Sequence, residues 1–175
     1  MYKFYLCRIL AEYLGEDQML ASVCRSFASL DALEKYGQNG KVNCKLALHA
    51  EAAALGKSID GRFHVFLEEI RPFCGKFEGS DPQKKLAIQH PTLPTGNVPP
   101  GFMGCAVNMV DIDLRHLETR TAAGYGIRET FYRLFGELEV YESRNRLMEA
   151  RAYINHGAVS LDGGILRENG VISLG

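Results

Sequence analysis

A chain of 175 residues with 46% hydrophobic and 23% charged side chains is long enough to bury a core, as one domain or as two small lobes. Its formal net charge of −1 excludes a general electrostatic pull toward nucleic acid or anionic lipid, so any such binding must rest on a local patch. The five cysteines Cys7, Cys24, Cys44, Cys74 and Cys105 form no CxxC pair and read as reduced packing residues of an intracellular protein, with no leader-like segment and no long apolar run.

In chain order, YKFYLCRILAEYLG spaces Phe4, Leu6, Ile9, Leu10, Tyr13 and Leu14 by three and four, which predicts a largely buried helix from the first residues. A helix opening at Met1, and a chain stopping at Gly175 directly after the strand-like VISL, read as a piece of a longer protein. Gly15 ends the first helix. MLASVC (19–24) predicts a buried strand, and Ser29 a cap for a helix through Leu30, Leu33 and Tyr36 up to Gly37. After the polar GQNGKVNCK, LALHAEAAALG predicts a helix stopped by Gly56, and GRFHVFLEEIRPF a strand followed by a turn at Arg71-Pro72. From Gly75 to Pro100 breakers dominate, and HPTLPTGNVPPG holds most of the six prolines. Residues 80–100 are therefore read as a linker between a first lobe over 1–79 and a second over 101–175.

In the second lobe GFMGCAVNMVDID predicts a strand, GYGIRETFYRLFG a helix stopped by Gly136, LEVYES a strand, and Ser143 a cap for a helix over Leu147 and Ala150. The final GAVSLDGGILRENGVISLG has turn signals at Asp162-Gly163-Gly164 and Asn169-Gly170 between short apolar runs, which predicts a three-strand meander. A phosphate loop would lead into a helix, and no helix follows these glycines. The order helix, strand, Ser-capped helix, strand occurs in both halves. The fold class is α/β, of the α+β kind: two related lobes of mixed sheet with flanking helices.

Few residues point to chemistry. His49-Ala50-Glu51 resembles half of a zinc deaminase signature but lacks the downstream PCxxC, and His64, His90, His116 and His156 stand apart from one another. GYGIRE at 124–129 starts like a dinucleotide fingerprint but has Glu129 in place of the third glycine, and Asp111 and Asp113 read as a solvent-facing strand end. Nothing in the sequence compels an enzyme, a metal or a cofactor.

SLDGGILRENGVISLG resembles the end of the hinge domain of structural-maintenance-of-chromosomes (SMC) proteins. Ser160, Leu161, Asp162, Gly163, Gly170 and Gly175 fall on that pattern, and Leu174 departs from it. GFMGCAVNMV and LFGELEVYESRNRLMEA resemble the rest of the second hinge lobe, and YLGEDQMLASVCRSFASLDALEKY with GRFHVFLEEIRP the first. Within the family, DGRF, RPF, DPQKKL, LPTGNVPPGFMGCAVNM, GYGIRETF and GAVSLDGGILR are most similar to two plant branches. One is the ATPase-lacking Defective in Meristem Silencing type of RNA-directed DNA methylation; the other joins the hinge to a GHKL-type ATPase and acts in DNA repair.

The resemblance implies a nuclear, non-catalytic module that homodimerises between coiled-coil flanks and scaffolds chromatin silencing. Its implied partners are a second copy, a small methylated-DNA-binding protein and a SNF2-type remodeller, with no cofactor. The implied interface residues are Gly101, Gly104, Gly163, Gly170, Val171, Ile172, Ser173 and Gly175, where glycine permits close backbone approach. Direct nucleic-acid contact, known for some hinge relatives, would use Lys84, Lys85, Arg144, Arg146 and Arg151.

Overall fold

The computed structural model describes residues 2–60, 63–69 and 75–174. The chain runs α1 (Tyr2–Leu14), α2 (Glu16–Met19), β1 (Ser22–Cys24), α3 (Phe27–Leu33), α4 (Ala47–Ala54), β2 (Val65–Leu67), β3 (Phe102–Cys105), α5 (Ala106–Met109), α6 (Leu114–Leu117) and α7 (Ile127–Phe135). It continues as β4 (Glu139–Tyr141), α8 (Arg144–Ala150), a 3₁₀ turn (Arg151–Tyr153), β5 (Ala158–Ser160), β6 (Gly164–Leu166) and β7 (Ile172–Leu174). β1 and β2 form a parallel pair, and the second sheet has the order β3-β4-β5-β6-β7. In that sheet β4 and β5 are parallel and the other neighbours antiparallel, so the meander forms as its turn residues predict.

The sequence repeat is a structural one. α1-β1-α3-β2 matches α7-β4-α8-β5, and in each unit a helix carries the chain from one strand to its parallel neighbour. Serine hydroxyls cap the crossing helices: Ser26 accepts from the Ser29 N–H at 3.2 Å, and Ser143 from the Arg146 N–H at 3.5 Å. The first-lobe cap is thus Ser26 instead of Ser29. α3 stops at Leu33, and Tyr36 bridges to Val42 beyond it. MLASVC yields a strand only over its last three residues, with Ser22 and Val23 exposed, because residues 16–19 take up a helical turn. GRFHVFLEEIRPF yields Val65–Leu67; Gly61, Arg71 and Pro72 lie outside the described residues. GFMGCAVNMVDID bends after Cys105 into α5.

The main core joins Leu6, Ile9 and Leu10 of α1 to Val140, Val159 and Ile165 of the larger sheet, to Leu138 just before β4 and to Phe135 of α7. The helix that opens the first lobe in chain order therefore packs on the sheet of the second. Only that face is buried: Tyr2, Phe4 and Tyr5 are exposed, so the helix is less buried than its spacing predicts. Cys24 and Cys105 pack inside, whereas Cys7 and Cys44 lie at the surface, where neither has a packing role; Cys74 is outside the described residues.

Residues 80–100 carry no helix or strand, yet they are strapped to the second lobe by three side-chain brackets. Asn108 accepts the Leu86 N–H at 2.8 Å and donates to the Leu86 carbonyl at 2.8 Å. Gln83 pairs in the same two-way manner with the Ile112 backbone, at 3.0 and 2.9 Å. Arg128, fully buried on α7, donates to the carbonyls of Val107 at 2.6 Å, Val110 at 2.8 Å and Gln83 at 2.9 Å. Backbone groups that no strand partner satisfies are met by side chains, which lets Leu86 enter the core fully buried.

Candidate functional site

The residues singled out by the glycine-rich end fall at one edge of the five-stranded sheet. The β5–β6 turn is closed by the Gly163 N–H on the Ser160 carbonyl at 3.0 Å, with Gly163 at a φ of 101° that a side chain rarely adopts. The Ser160 hydroxyl donates to Asp162 Oδ1 at 2.6 Å and accepts the Gly164 N–H at 2.9 Å. Asp162 Oδ1 also accepts the Arg144 N–H at 2.8 Å, which fixes the turn to the start of α8. Burial works to raise the Asp162 carboxyl, but these hydrogen bonds outweigh it and hold the group below its ordinary value. A Cβ at Gly164 would meet Ser160 Oγ at 2.7 Å, so the close approach in this turn is at Gly164, a position that the resemblance did not single out.

From β6 the chain turns at Asn169-Gly170, where the Arg167 N–H meets the Val171 carbonyl at 2.9 Å and Asn169 Oδ1 accepts the Val171 N–H at 3.2 Å. β7 then pairs with β6 through Gly164↔Leu174, Ile165↔Ser173 and Leu166↔Ile172. Among the described residues nothing pairs with its other side. Val171, Ile172 and Ser173 are all exposed, the first two at 51% and 41%. An apolar edge strand with open backbone groups is a template for another strand. Gly175 lies outside the described residues.

Gly101 and Gly104 are elsewhere. They flank and occupy β3, at the opposite edge of the same sheet. Gly101 lies against α8: a Cβ there would come within 2.6 Å of the Arg146 side chain, and its carbonyl accepts the Glu142 N–H at 2.9 Å. The structure thus brings together Gly163, Gly170, Val171, Ile172 and Ser173 around β6 and β7 and separates Gly101 and Gly104 from them. In the smaller sheet, Val23 and the neighbouring Met19, Leu20 and Phe27 are exposed, at 47%, 52%, 75% and 58%. They form a second apolar surface, on the first-lobe unit.

The basic candidates divide as well. Lys84 and Lys85 are in the strapped segment, and Lys85 faces Asp81 at 3.4 Å. Arg144, Arg146 and Arg151 follow α8 and the turn after it. Arg146 lies between Glu142 at 3.5 Å and Glu149 at 2.9 Å, Arg144 donates to the Asp162 carbonyl, and Arg151 donates to the Met148 carbonyl. Several of these cations therefore have an acidic or carbonyl partner already.

The weaker motifs have local roles. His49 meets Glu34 at 3.3 Å, and Glu129 of GYGIRE accepts the Gly126 N–H at 3.1 Å and pairs with Arg120 at 3.1 Å. Asp111 pairs with Lys3 at 2.5 Å, and Asp113 caps α6 through the Arg115 N–H at 2.9 Å.

No protein-family model matches the chain. The "Structural maintenance of chromosomes flexible hinge domain-containing protein GMI1" of Arabidopsis thaliana is 46% identical over 173 residues, which are 97% of this chain and 10% of that protein. The chain thus spans about a tenth of that relative's length. Among solved structures, an asymmetric dimer of the Geobacillus stearothermophilus SMC hinge domain matches with a TM-score of 0.52 at 16% identity, covering 98% of this chain and 54% of that one. That likeness speaks for the fold, and the sequence match carries the family. With both spanning nearly all of its length, the chain belongs to the SMC hinge-domain family.

Proposed function

We propose that this hinge homodimerises, with the β7 edge of one protomer meeting the first-lobe unit of its partner. The observation that carries the reading is the open β7 edge, with Val171, Ile172 and Ser173 exposed in succession. The exposed Met19, Leu20, Val23 and Phe27 supply a complementary apolar surface, and the Geobacillus hinge is described as a dimer. Gly163 and Gly170 support β7 by shaping the turns on either side of β6. Gly101 and Gly104, on the other edge, act through β3.

The test is sedimentation of the chain over tens of micromolar, beside Ile172→Glu and Gly170→Glu. Ile172 is exposed, so a glutamate there blocks an edge pairing without entering the core. A dimeric wild type and folded, monomeric variants are expected. A wild-type monomer, or a variant that stays dimeric, sinks the reading.

The cellular role that goes with this assembly is a non-catalytic scaffold in the nucleus. In the silencing reading it works in RNA-directed DNA methylation beside a small methylated-DNA-binding protein and a SNF2-type remodeller. A second reading, the hinge of a GHKL-ATPase protein in DNA repair with direct nucleic-acid binding, is favoured by one observation: the 46% identical relative is about ten times longer than its hinge, which leaves room for a catalytic domain. Gel shifts at two salt concentrations test the nucleic-acid part. Affinity that falls with salt and weakens in Lys84→Glu supports it, and no shift at low salt removes it.

A further inference from the structure

A polar cavity of about 260 Å³ opens between β4, the His90 segment and the chain after α8. Glu137, Glu139 and His156 line it, and no lysine or arginine does. Glu139 is only 7% exposed, and Tyr141 donates to its Oε2 at 2.7 Å; the carboxylate accepts no other hydrogen bond among the described residues. Its cross-strand neighbour Cys105 supplies no positive charge: burial and the nearby Glu139 and Glu137 charges push that thiol up to about 12, so it stays neutral. His156 is the nearest positive candidate, 3.7 Å from Glu137 and 3.8 Å from Glu168, beyond hydrogen-bonding reach of either. Glu139 thus presents its second oxygen to the cavity beside a second carboxylate, an arrangement that favours a cation.

Tyr153 also lines a second, mostly apolar groove of about 270 Å³, together with Leu93, Pro94, Pro99, Pro100 and Ala150. Its proline-rich wall is held in shape by the Leu93 N–H on the Asn97 carbonyl at 2.9 Å and the Gly96 N–H on the Leu93 carbonyl at 2.8 Å. A free amine would fill the first space and leave the second empty. A peptide with a basic side chain near an aliphatic one fills both, with Tyr153 shared by the two linings. We propose that this paired pocket docks a protein partner through a lysine or arginine side chain set against Glu139 and Glu137, with an adjacent apolar side chain under the proline segment.

The experiment is an amide NMR titration of the ¹⁵N-labelled 175-residue chain with the peptide Gly-Lys-Gly-Leu-Gly, blocked at both ends. Controls are the same peptide with norleucine for lysine, and spermidine. Shifts should concentrate at 89–92, 137–139 and 153–156. The norleucine peptide should bind at least about fivefold more weakly, and Glu139→Gln should weaken the lysine peptide about as much. Glu137→Gln, at a half-exposed position that leaves the fold alone, should weaken it by a smaller factor. Equal binding of the norleucine peptide, or no loss in either variant, overturns the proposal. Spermidine binding as tightly as the peptide overturns the protein-partner part.

Discussion

The two strand–helix–strand units of this chain share an order, a parallel pairing and a serine cap, and they end in different states of burial. In the second unit β4 and β5 lie at the centre of a five-stranded sheet, and Val140 and Val159 are fully buried. In the first, β1 and β2 pair only with each other among the described residues, and Val23, at the repeat position of Val140, is 47% exposed. A parallel pair is stable when both faces are covered. The second unit obtains that cover from α1 and from Leu86 in the strapped segment, and α1 is the very helix that the first unit would otherwise keep. The same local code therefore finishes a core in one place and leaves an apolar surface in the other.

Breaking the strap should have the largest effect. Arg128→Met keeps the volume but leaves the carbonyls of Val107, Val110 and Gln83 without their donors in the interior, a loss of about 3–5 kcal/mol seen as a lower urea midpoint. The Gln83 carbonyl would lose its donor while Asn108 still holds Leu86, so amide exchange should accelerate around residue 83 and in α7 more than around residue 86. The comparison itself is tested by one substitution made twice. Val140→Ala should cost about 2 kcal/mol, and Val23→Ala less than about 0.5 kcal/mol in the monomer. If the first-lobe surface is covered in the dimer, the Val23 cost should grow with protein concentration, which sedimentation and unfolding at two concentrations would read.

Much of this asymmetry was hidden in the sequence for definite reasons. Hydrophobic spacing shows that α1 has a buried face, but not which sheet covers it. Arg128 on an amphipathic helix reads as a solvent residue, because the carbonyls that hold it come from residues 83, 107 and 110, brought near only by the fold. The meander was legible, since Asp162-Gly163-Gly164 and Asn169-Gly170 fix the turns locally. That β7 is an edge and that Gly101 and Gly104 sit at the opposite edge depends on strand order, a long-range property. The Ser26 cap was within reach. It occupies the same step after β1 that Ser143 occupies after β4, and aligning the repeat would have placed it.

The smallest expected effect is a pH dependence that has the same sign in both lobes. Glu68 follows β2 and Glu139 lies on β4; burial raises both carboxyls above the ordinary 4.5, more than Arg25 lowers the one or the Tyr141 hydroxyl the other. A carboxyl whose folded value is raised binds more protons folded than unfolded, so its favourable contribution is complete below 4.5 and is lost as pH rises through the folded value. Glu68→Gln and Glu139→Gln should each flatten the fall in urea midpoint between pH 4.5 and neutrality. Asp162 acts oppositely: its lowered carboxyl contributes stability above 3.8 that is lost in more acid solution. Amide exchange can assign each slope, because β1 and β2 should respond to Glu68→Gln while β4 and β5 respond to Glu139→Gln. If both variants flatten exchange equally in all four strands, the lobes open as one unit, and the contrast between them is confined to burial without reaching cooperativity.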